Sequence, residues 1–348
     1  MDDVIVSIIV PIYNVSKFIN RGIAQLLKQS YKNYEILLVD DGSTDGSYEE
    51  CKKKESEDQR IIVLQQENKG AGGARNLGIE KSRGKYIYFY DIDDCISPNL
   101  LEYNVSLMET YNVDICVFGY KSYDITCRTE TIVTFPETMI ENNNQLRDIY
   151  VDEFVLKVNG FTWNKFYRKE FLDKYNIRFE SQRIQQDEVF NILCYHSVDR
   201  LFISTKVLYD YFVYDKGNTR SRFIPDRFDI YKSVRLHFEN LKEFWALNDK
   251  RFDDYLSKRF YYSVINCVFY NLLHPSCNFT EQEKKEYLRL IMNDPLTIDS
   301  FRFAENANLG LEQYLYRYAC RKASLFQVKL FAFIFSTLRR IYRRLNYI

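Results

Sequence analysis

The sequence predicts an α/β fold in which a Rossmann-like, mainly parallel sheet carries helices on both faces and a helical C-terminal region follows. Three observations predict it. Apolar runs rich in Val and Ile alternate with helix-period segments through the first 120 residues. Those runs are almost continuously apolar, as strands covered on both faces must be, rather than alternating apolar with polar. Beyond Pro225 only the helical period remains.

The elements follow in order. Val6–Ile12 is a β-branched strand, Ser16 is placed to cap the next helix, and Ile19, Ile23, Leu26 and Leu27 recur at helical spacing. Residues 34–39 form a second strand ending in Asp40-Asp41-Gly42-Ser43, and a polar helix over 47–55 leads to a third strand at 61–64. Glycines open a helix over 70–82. A fourth strand at 86–90 ends in Asp91-Ile92-Asp93-Asp94, with a helix over 99–111 and a strand over 114–118 behind it. In parallel sheets ligands bind beyond the carboxyl ends of strands, and both Asp clusters fall at such ends. From 121 to 214 the pattern is mixed: strands at 131–135 and 201–208, helices at 143–156 and 169–175, a polar hinge at 183–187. Helices at 228–247, 252–273 and 281–292 and a last segment from Gln313 complete the chain. It divides into an α/β domain over 1–222, a helical region over 223–312 and a basic segment over 313–348.

Composition narrows the classes. With 46% hydrophobic and 28% charged residues the chain is globular rather than disordered. The eight Cys show no C-x-x-C pair or finger spacing, and the three His stand apart, which excludes a zinc site and a His-based triad. The apolar run at 4–10 is too short for a signal-peptide core, and no apolar segment reaches the roughly 20 residues that span a bilayer. A reduced, cytoplasmic setting is the expectation. Lys+Arg and Asp+Glu number 48 each, and that neutrality argues against nucleic acid as a partner. The balance is uneven, however. Eight basic and no acidic residues follow Glu312, so the preceding 312 residues hold 40 basic against 48 acidic side chains.

Three motifs carry chemistry. Asp40-Asp41-Gly42-Ser43-Thr44-Asp45-Gly46 starts like a calcium loop, but its twelfth position is Lys52, which removes the bidentate ligand. What remains is either a strand-to-helix turn capped by Thr44 or Asp45, or a carboxylate placed to accept hydrogen bonds from a nucleobase. Asp91 and Asp93 share one side of an extended strand, and Asp94 begins the loop. Such close carboxylates raise one another's pKa unless a cation compensates, and a hard divalent ion takes one or two of them together with phosphate oxygens. A capped helix start before Ser97-Pro98 and an aspartyl-nucleophile phosphatase are the alternatives; the latter expects its D-x-D on the first strand. Gly70-Ala71-Gly72-Gly73-Ala74-Arg75 lacks the third glycine of a dinucleotide fingerprint, so a nicotinamide dehydrogenase is disfavoured. Glycines at a helix start still suit close approach to a phosphate, and Arg75 can reach an anion.

Taken together, P-I-Y-N, V-D-D-G-S-T-D, N-K-G-A-G-G-A-R-N-L-G and Y-D-I-D-D in this order resemble a family 2 glycosyltransferase of GT-A fold, over roughly residues 1 to 220. The resemblance implies that a UDP-sugar lies across the sheet ends. Pro11, Tyr13, Asp40 and Asp41 would contact the uridine and Arg75 the diphosphate or sugar. Asp93 with Asp91 would bind Mg²⁺ or Mn²⁺, and Asp94 would meet the donor sugar directly or through a neighbour. The family's E-D-x-x-F element is matched by Gln186-Asp187-Glu188-Val189-Phe190, which makes Asp187 the general base, with Glu188 as fallback and helix capping as a compatible role. Trp163-Asn164-Lys165 resembles the family's acceptor-side W-N-K segment, with a core aromatic as the alternative for Trp163. Lys216, Arg220 and Arg222 form a loop that closes over the diphosphate or is simply solvated.

The implied activity is inverting transfer of a hexose or N-acetylhexosamine from a UDP-sugar to a hydroxyl of a glycan or lipid-linked acceptor, in bacterial capsule, lipopolysaccharide or exopolysaccharide synthesis. A nucleotidyltransferase, which releases pyrophosphate rather than UDP, and a catalytically silent nucleotide-sugar binder are the alternatives. On a helical wheel the seven basic residues from Arg321 to Arg344 span roughly 140°. Leu330, Phe331, Ile334, Phe335, Leu338, Ile341 and Leu345 lie opposite, whereas Phe326 and Phe333 break the split. Such a helix suits an anionic membrane surface, placing the protein peripherally on the inner face of the cell membrane, or it docks on the protein's own acidic body.

Overall fold

The computed structural model describes residues 5–125, 128–155, 160–213, 222–305 and 310–345, with side chains to residue 338 in the last stretch. Lys216 and Arg220 lie outside the described residues. The chain forms two compact units, residues 1–217 with 243–245, and residues 218–242 with 246–348.

The first unit is built on one mixed sheet. Strands β1 (Val6–Ile12), β2 (Tyr34–Asp40), β3 (Ile61–Gln65) and β4 (Tyr86–Phe89) run parallel in the order β3-β2-β1-β4. Every residue of β2 and β4 is buried, both odd and even positions, so helices cover both faces. Each fully buried Ile, Leu or Val here contributes about 1.5–3 kcal/mol. Their register sets the carboxyl ends side by side: Ile12 pairs with Asp40, and Asp40 with Gln65.

Beyond β4 the sheet departs from the expected parallel run. A short strand, β9 (Lys165–Arg168), inserts antiparallel between β4 and β6 (Ile115–Asp124). β10 (Leu201–Val213) then pairs parallel with β6, while β5 (Cys95–Ile96), β7 (Thr129–Val133) and β8 (Thr138–Ile140) are antiparallel additions. The helices of this unit are α1 (Ser16–Leu27), α2 (Ser47–Glu57), α3 (Gly70–Lys81), α4 (Leu100–Tyr111), α5 (Asn143–Tyr150), α6 (Lys169–Lys174) and α7 (Gln186–Ser197). α5 continues into a π-helical turn, Val151–Val155, which accounts for the longer helix read from the sequence.

Two glycines allow the approaches on which the site depends. A Cβ at Gly78 of α3 would lie 2.4 Å from Ile9 Cγ2, so only glycine lets α3 settle on β1. A Cβ at Gly22 of α1 would lie 2.7 Å from the Ile92 carbonyl oxygen, so the same device seats the Asp91–Asp94 loop against α1. Ser16 is the first residue of α1 rather than its cap. Its amide is met by Asp45 Oδ2 at 3.1 Å, from a loop 29 residues away.

The second unit holds α8 (Arg227–Phe244, whose last residues group with the first unit), α9 (Lys250–Ile265), α10 (Glu281–Asn293), α11 (Pro295–Glu305), α12 (Leu311–Arg321) and α13 (Leu325–Leu345). A π-helical turn, Asn266–Asn271, extends α9. Thr280 and Glu283 form a reciprocal capping box at the start of α10. Phe260, Val264, Val268, Leu288, Ile291 and Tyr316 lie in the core. The segment read as one basic helix from Gln313 is two helices, broken where Ala323 takes a left-handed conformation (φ 44°). Leu325 and Val328 of α13 are buried in the same core, so this segment is partly structural. No helix among the described residues is long and apolar enough to cross a membrane.

Candidate active site

The carboxyl ends of β1, β2 and β4 and the N-termini of α3 and α7 carry the functional side chains. At β2, Asp40 and Asp41 are both buried and do different work. Asp41 Oδ1 accepts from Gln66 Nε2 (2.6 Å) and the Lys69 amide (2.8 Å), and Oδ2 from the Gly70 amide (2.8 Å). It thereby holds the start of α3, where an anion is favoured by the exposed amides and the helix dipole. Asp40 Oδ2 accepts weakly from the Ser43 amide (3.3 Å) and Gln65 Nε2 (3.4 Å), while its buried Oδ1 has no partner. A buried carboxylate oxygen whose lone pairs meet no donor is an acceptor awaiting one. Tyr13 is exposed at the end of β1 beside half-buried Pro11.

Arg75, buried on α3, is the centre of the arrangement. Its Nη1 donates to Asp187 Oδ1 at 2.7 Å and its Nη2 to Asp91 Oδ1 at 2.9 Å. Burial works against its charge, but the two carboxylates outweigh that and hold the guanidinium pKa above its ordinary value. Sequence spacing of 112 and 16 residues is thus closed by one planar fork, a geometry that Arg and not Lys supplies. Arg75, expected near the diphosphate or sugar, here bridges the two carboxylates.

α7 starts at Gln186, preceded by Gln185 in a left-handed conformation, so Asp187 sits in the first turn rather than at the cap position. Its carboxylate goes to Arg75 instead. Glu188 is buried, and its Oε2 accepts from Gln185 Nε2 at 3.3 Å. Gln186, where the family pattern has Glu, packs its amide against Gly72.

The Asp91–Asp94 loop divides its labour. Burial, with Asp91 next to it, pushes the Asp93 carboxyl up to about 6. Two mutually repelling carboxylates one residue apart are a donor set that a hard divalent cation relieves, with phosphate oxygens and water completing its shell. Asp91 and Asp93 therefore fit Mg²⁺ or Mn²⁺. Among the described residues no three His, Cys, Asp or Glu side chains form a ready-made cage. Asp94 is different. Its Oδ2 accepts from Tyr209 OH (2.7 Å) and its Oδ1 from the Phe212 amide (2.9 Å), both on β10. Burial and then repulsion from Asp93 and Asp91 raise its pKa well above the carboxylate range. A side chain so occupied ties the loop to β10, the arrangement in which Asp94 would act on a donor sugar through a neighbour rather than directly.

The acceptor candidates are buried. Trp163 stacks on Tyr209 (centroids 4.2 Å, 11°) and on Phe161 (4.5 Å), the core alternative. Lys165 donates to the Phe161 carbonyl and to Asn164 Oδ1 (2.9 Å), and burial lowers its pKa to about 7. Neither offers its side chain at the surface; both brace β9 and the segment before it. Sequence reasoning missed Arg21 and Lys17 of α1. Arg21 donates to the Asp93 carbonyl, and both cations pull the Asp93 pKa down against its burial. Only helical spacing toward a loop 72 residues away marked Arg21, and no motif signals that.

The comparisons agree with this architecture. Residues 7–176 match the glycosyl transferase family 2 profile. The uncharacterized glycosyltransferase EpsJ of Bacillus subtilis is 33% identical over 216 residues, 60% of this chain and 60% of its own. The Escherichia coli UDP-Glc:alpha-D-GlcNAc-diphosphoundecaprenol beta-1,3-glucosyltransferase WfgD is 42% identical over 126 residues, 36% of this chain and 48% of its own. The chain thus spans only about half the length of these curated relatives. The crystal structure of S. aureus TarS 1-349 in complex with UDP-GlcNAc superposes with a TM-score of 0.63 at 19% identity, covering 96% of this chain and 92% of that one, a likeness of fold.

Proposed function

The chain belongs to glycosyl transferase family 2, and from that membership we propose an inverting, metal-dependent transfer of a hexose or N-acetylhexosamine from a UDP-sugar. The acceptor is a hydroxyl of a glycan or lipid-linked saccharide in bacterial surface-polysaccharide synthesis. The observation that carries the reading is the single guanidinium of Arg75 joining Asp187 to Asp91, because it unites a base with the carboxylate pair suited to a donor diphosphate. The free Oδ1 of Asp40 supports a nucleobase N–H donor at the end of β2, with Tyr13 and Pro11 beside it. The UDP-GlcNAc in TarS and the UDP-Glc in the name of WfgD favour uridine as the base.

Asp93 and Asp91 would hold the cation, which when bound supplies positive charge to the departing diphosphate. Asp187 accepts the acceptor's hydroxyl proton while that oxygen bonds to the anomeric carbon. The bond from that carbon to the phosphate oxygen breaks, and the electron pair leaves with UDP. One base acting opposite the leaving group inverts the anomeric configuration. Arg75 keeps the Asp187 carboxylate oriented and ionised until the acceptor arrives. A peripheral position on the inner face of the cell membrane would suit a lipid-linked acceptor.

UDP release with UDP-GlcNAc and UDP-Glc as donors tests this. Asp187→Asn is expected to abolish transfer while leaving metal-dependent UDP binding intact, and Asp93→Asn to abolish both. Full turnover in Asp187→Asn removes it as the base.

A further inference from the structure

The C-terminal helix α13 has two apolar faces, and the core uses only one. Leu325 and Val328 are buried in the second unit, with Phe331, Ala332 and Phe335 packed partly against it, and Lys329 pairs with Glu281 of α10. Turned away from that contact are Phe326 (73% exposed), Leu330 (41%), Phe333 (70%), Ile334 (38%) and Leu338 (52%). They recur at i, i+4, i+7, i+8 and i+12, so they form one stripe about 18 Å long at 1.5 Å per residue. The face expected from the sequence runs through Leu330, Phe331, Ile334, Phe335 and Leu338. The structure packs Phe331 and Phe335 against the core, leaves the other three outside, and adds to them Phe326 and Phe333, the two that break the pattern.

We propose that this Phe326–Leu338 stripe lies in the headgroup region of an anionic bilayer, with α13 parallel to the surface and its other face still docked on the second unit. Charge chooses this occupant. Eight Lys and Arg and no Asp or Glu follow Glu312, Lys329 among them in an ion pair with Glu281; that excess attracts anionic lipid and opposes a second copy brought face to face. No helix among the described residues is long and apolar enough to cross a membrane. The inference gives the membrane location stated above a physical site, and rests on that reading for its biological setting alone. Binding does not depend on turnover.

The test is flotation of the full chain with phosphatidylcholine vesicles, with and without phosphatidylglycerol. The chain is expected to float only with the anionic vesicles. The paired change Phe326→Ser and Phe333→Ser is expected to lower the bound fraction about tenfold or more. Its melting temperature should not change, because both rings are exposed, and its UDP release from a UDP-sugar should stay parental. A second variant, Arg339→Gln with Arg340→Gln, is expected to weaken flotation. Equal flotation of parent and Phe variant overturns the proposal, and so does equal binding to neutral vesicles. A parental dimer by light scattering that the Phe pair dissolves, without flotation, overturns it in favour of a second copy. Flotation by a chain that turns over no UDP-sugar supports this inference and counts only against the functional reading.

Discussion

Replacing Arg75 by Lys preserves the charge and removes the fork. One ammonium on a flexible stem can serve Asp187 or Asp91, but not both with the 2.7 and 2.9 Å contacts that the guanidinium makes. Hydrogen bonds to charged groups contribute about 1.5–3 kcal/mol when well buried. The two carboxylates are 28% and 29% exposed, so solvent screening places each contact at the low end, about 1.5 kcal/mol. At about 1.4 kcal/mol per factor of ten, Arg75→Lys is expected to lower kcat/KM about tenfold. Arg75→Met loses both contacts and is expected to cost about 3 kcal/mol, or more than a hundredfold. Initial rates of UDP release over a range of donor and acceptor concentrations measure both. The reasoning is refuted by parental kcat/KM in the Lys variant, or by a Met variant no worse than the Lys variant.

Two further outcomes follow from positions already described. With the Asp93 carboxyl raised to about 6, protons compete with the cation, so Mn²⁺ affinity measured by titration should fall steeply below about pH 6 and level off above it. The same shift means that the metal-free fold gains from Asp93 below its unfolded value near 3.8 and loses that contribution as pH rises to about 6; flat metal affinity from pH 5 to 7 would count against the shift. Gly78→Ala places a methyl 2.4 Å from Ile9 Cγ2 and is expected to destabilise by about 1–3 kcal/mol in urea unfolding, with no loss if α3 can slide.

The parallel quartet was legible because burial on both faces leaves a strand no choice but to be apolar throughout. β9 was not. Its four residues, Lys165–Arg168, begin and end in charge, and its partners β4 and β6 lie far away in sequence. Trp163, Asn164 and Lys165 announced importance by their types, yet Asn164 and Lys165 bond to backbone carbonyls and to each other, and Trp163 stacks in the core. The chemistry of the site was readable as residue type: carboxylates at sheet ends, an Arg at a glycine-rich helix start. Which carboxylate meets which partner was not. Asp94 and Asp93 are neighbours in sequence, but the carboxylate of one binds β10 while the other feels the charges of Arg21 and Lys17 on α1. At Ala323 the break between α12 and α13 uses a left-handed alanine, without the Gly or Pro that ordinarily marks a stop.

The hold of β10 on the Asp91–Asp94 loop sets where this protein can be cut and recombined. The family profile ends at residue 176, yet Asp187 lies beyond it, as do Tyr209 and Phe212, the two groups that fix Asp94. A fragment trimmed to the recognisable stretch would carry every motif proposed for the donor and lack both the proposed base and the clasp on the loop. Chimaeras meant to exchange acceptor preference between relatives therefore need their junction after Val213, the last residue of β10. The transferable module is the whole sheet, and it is longer than its signature.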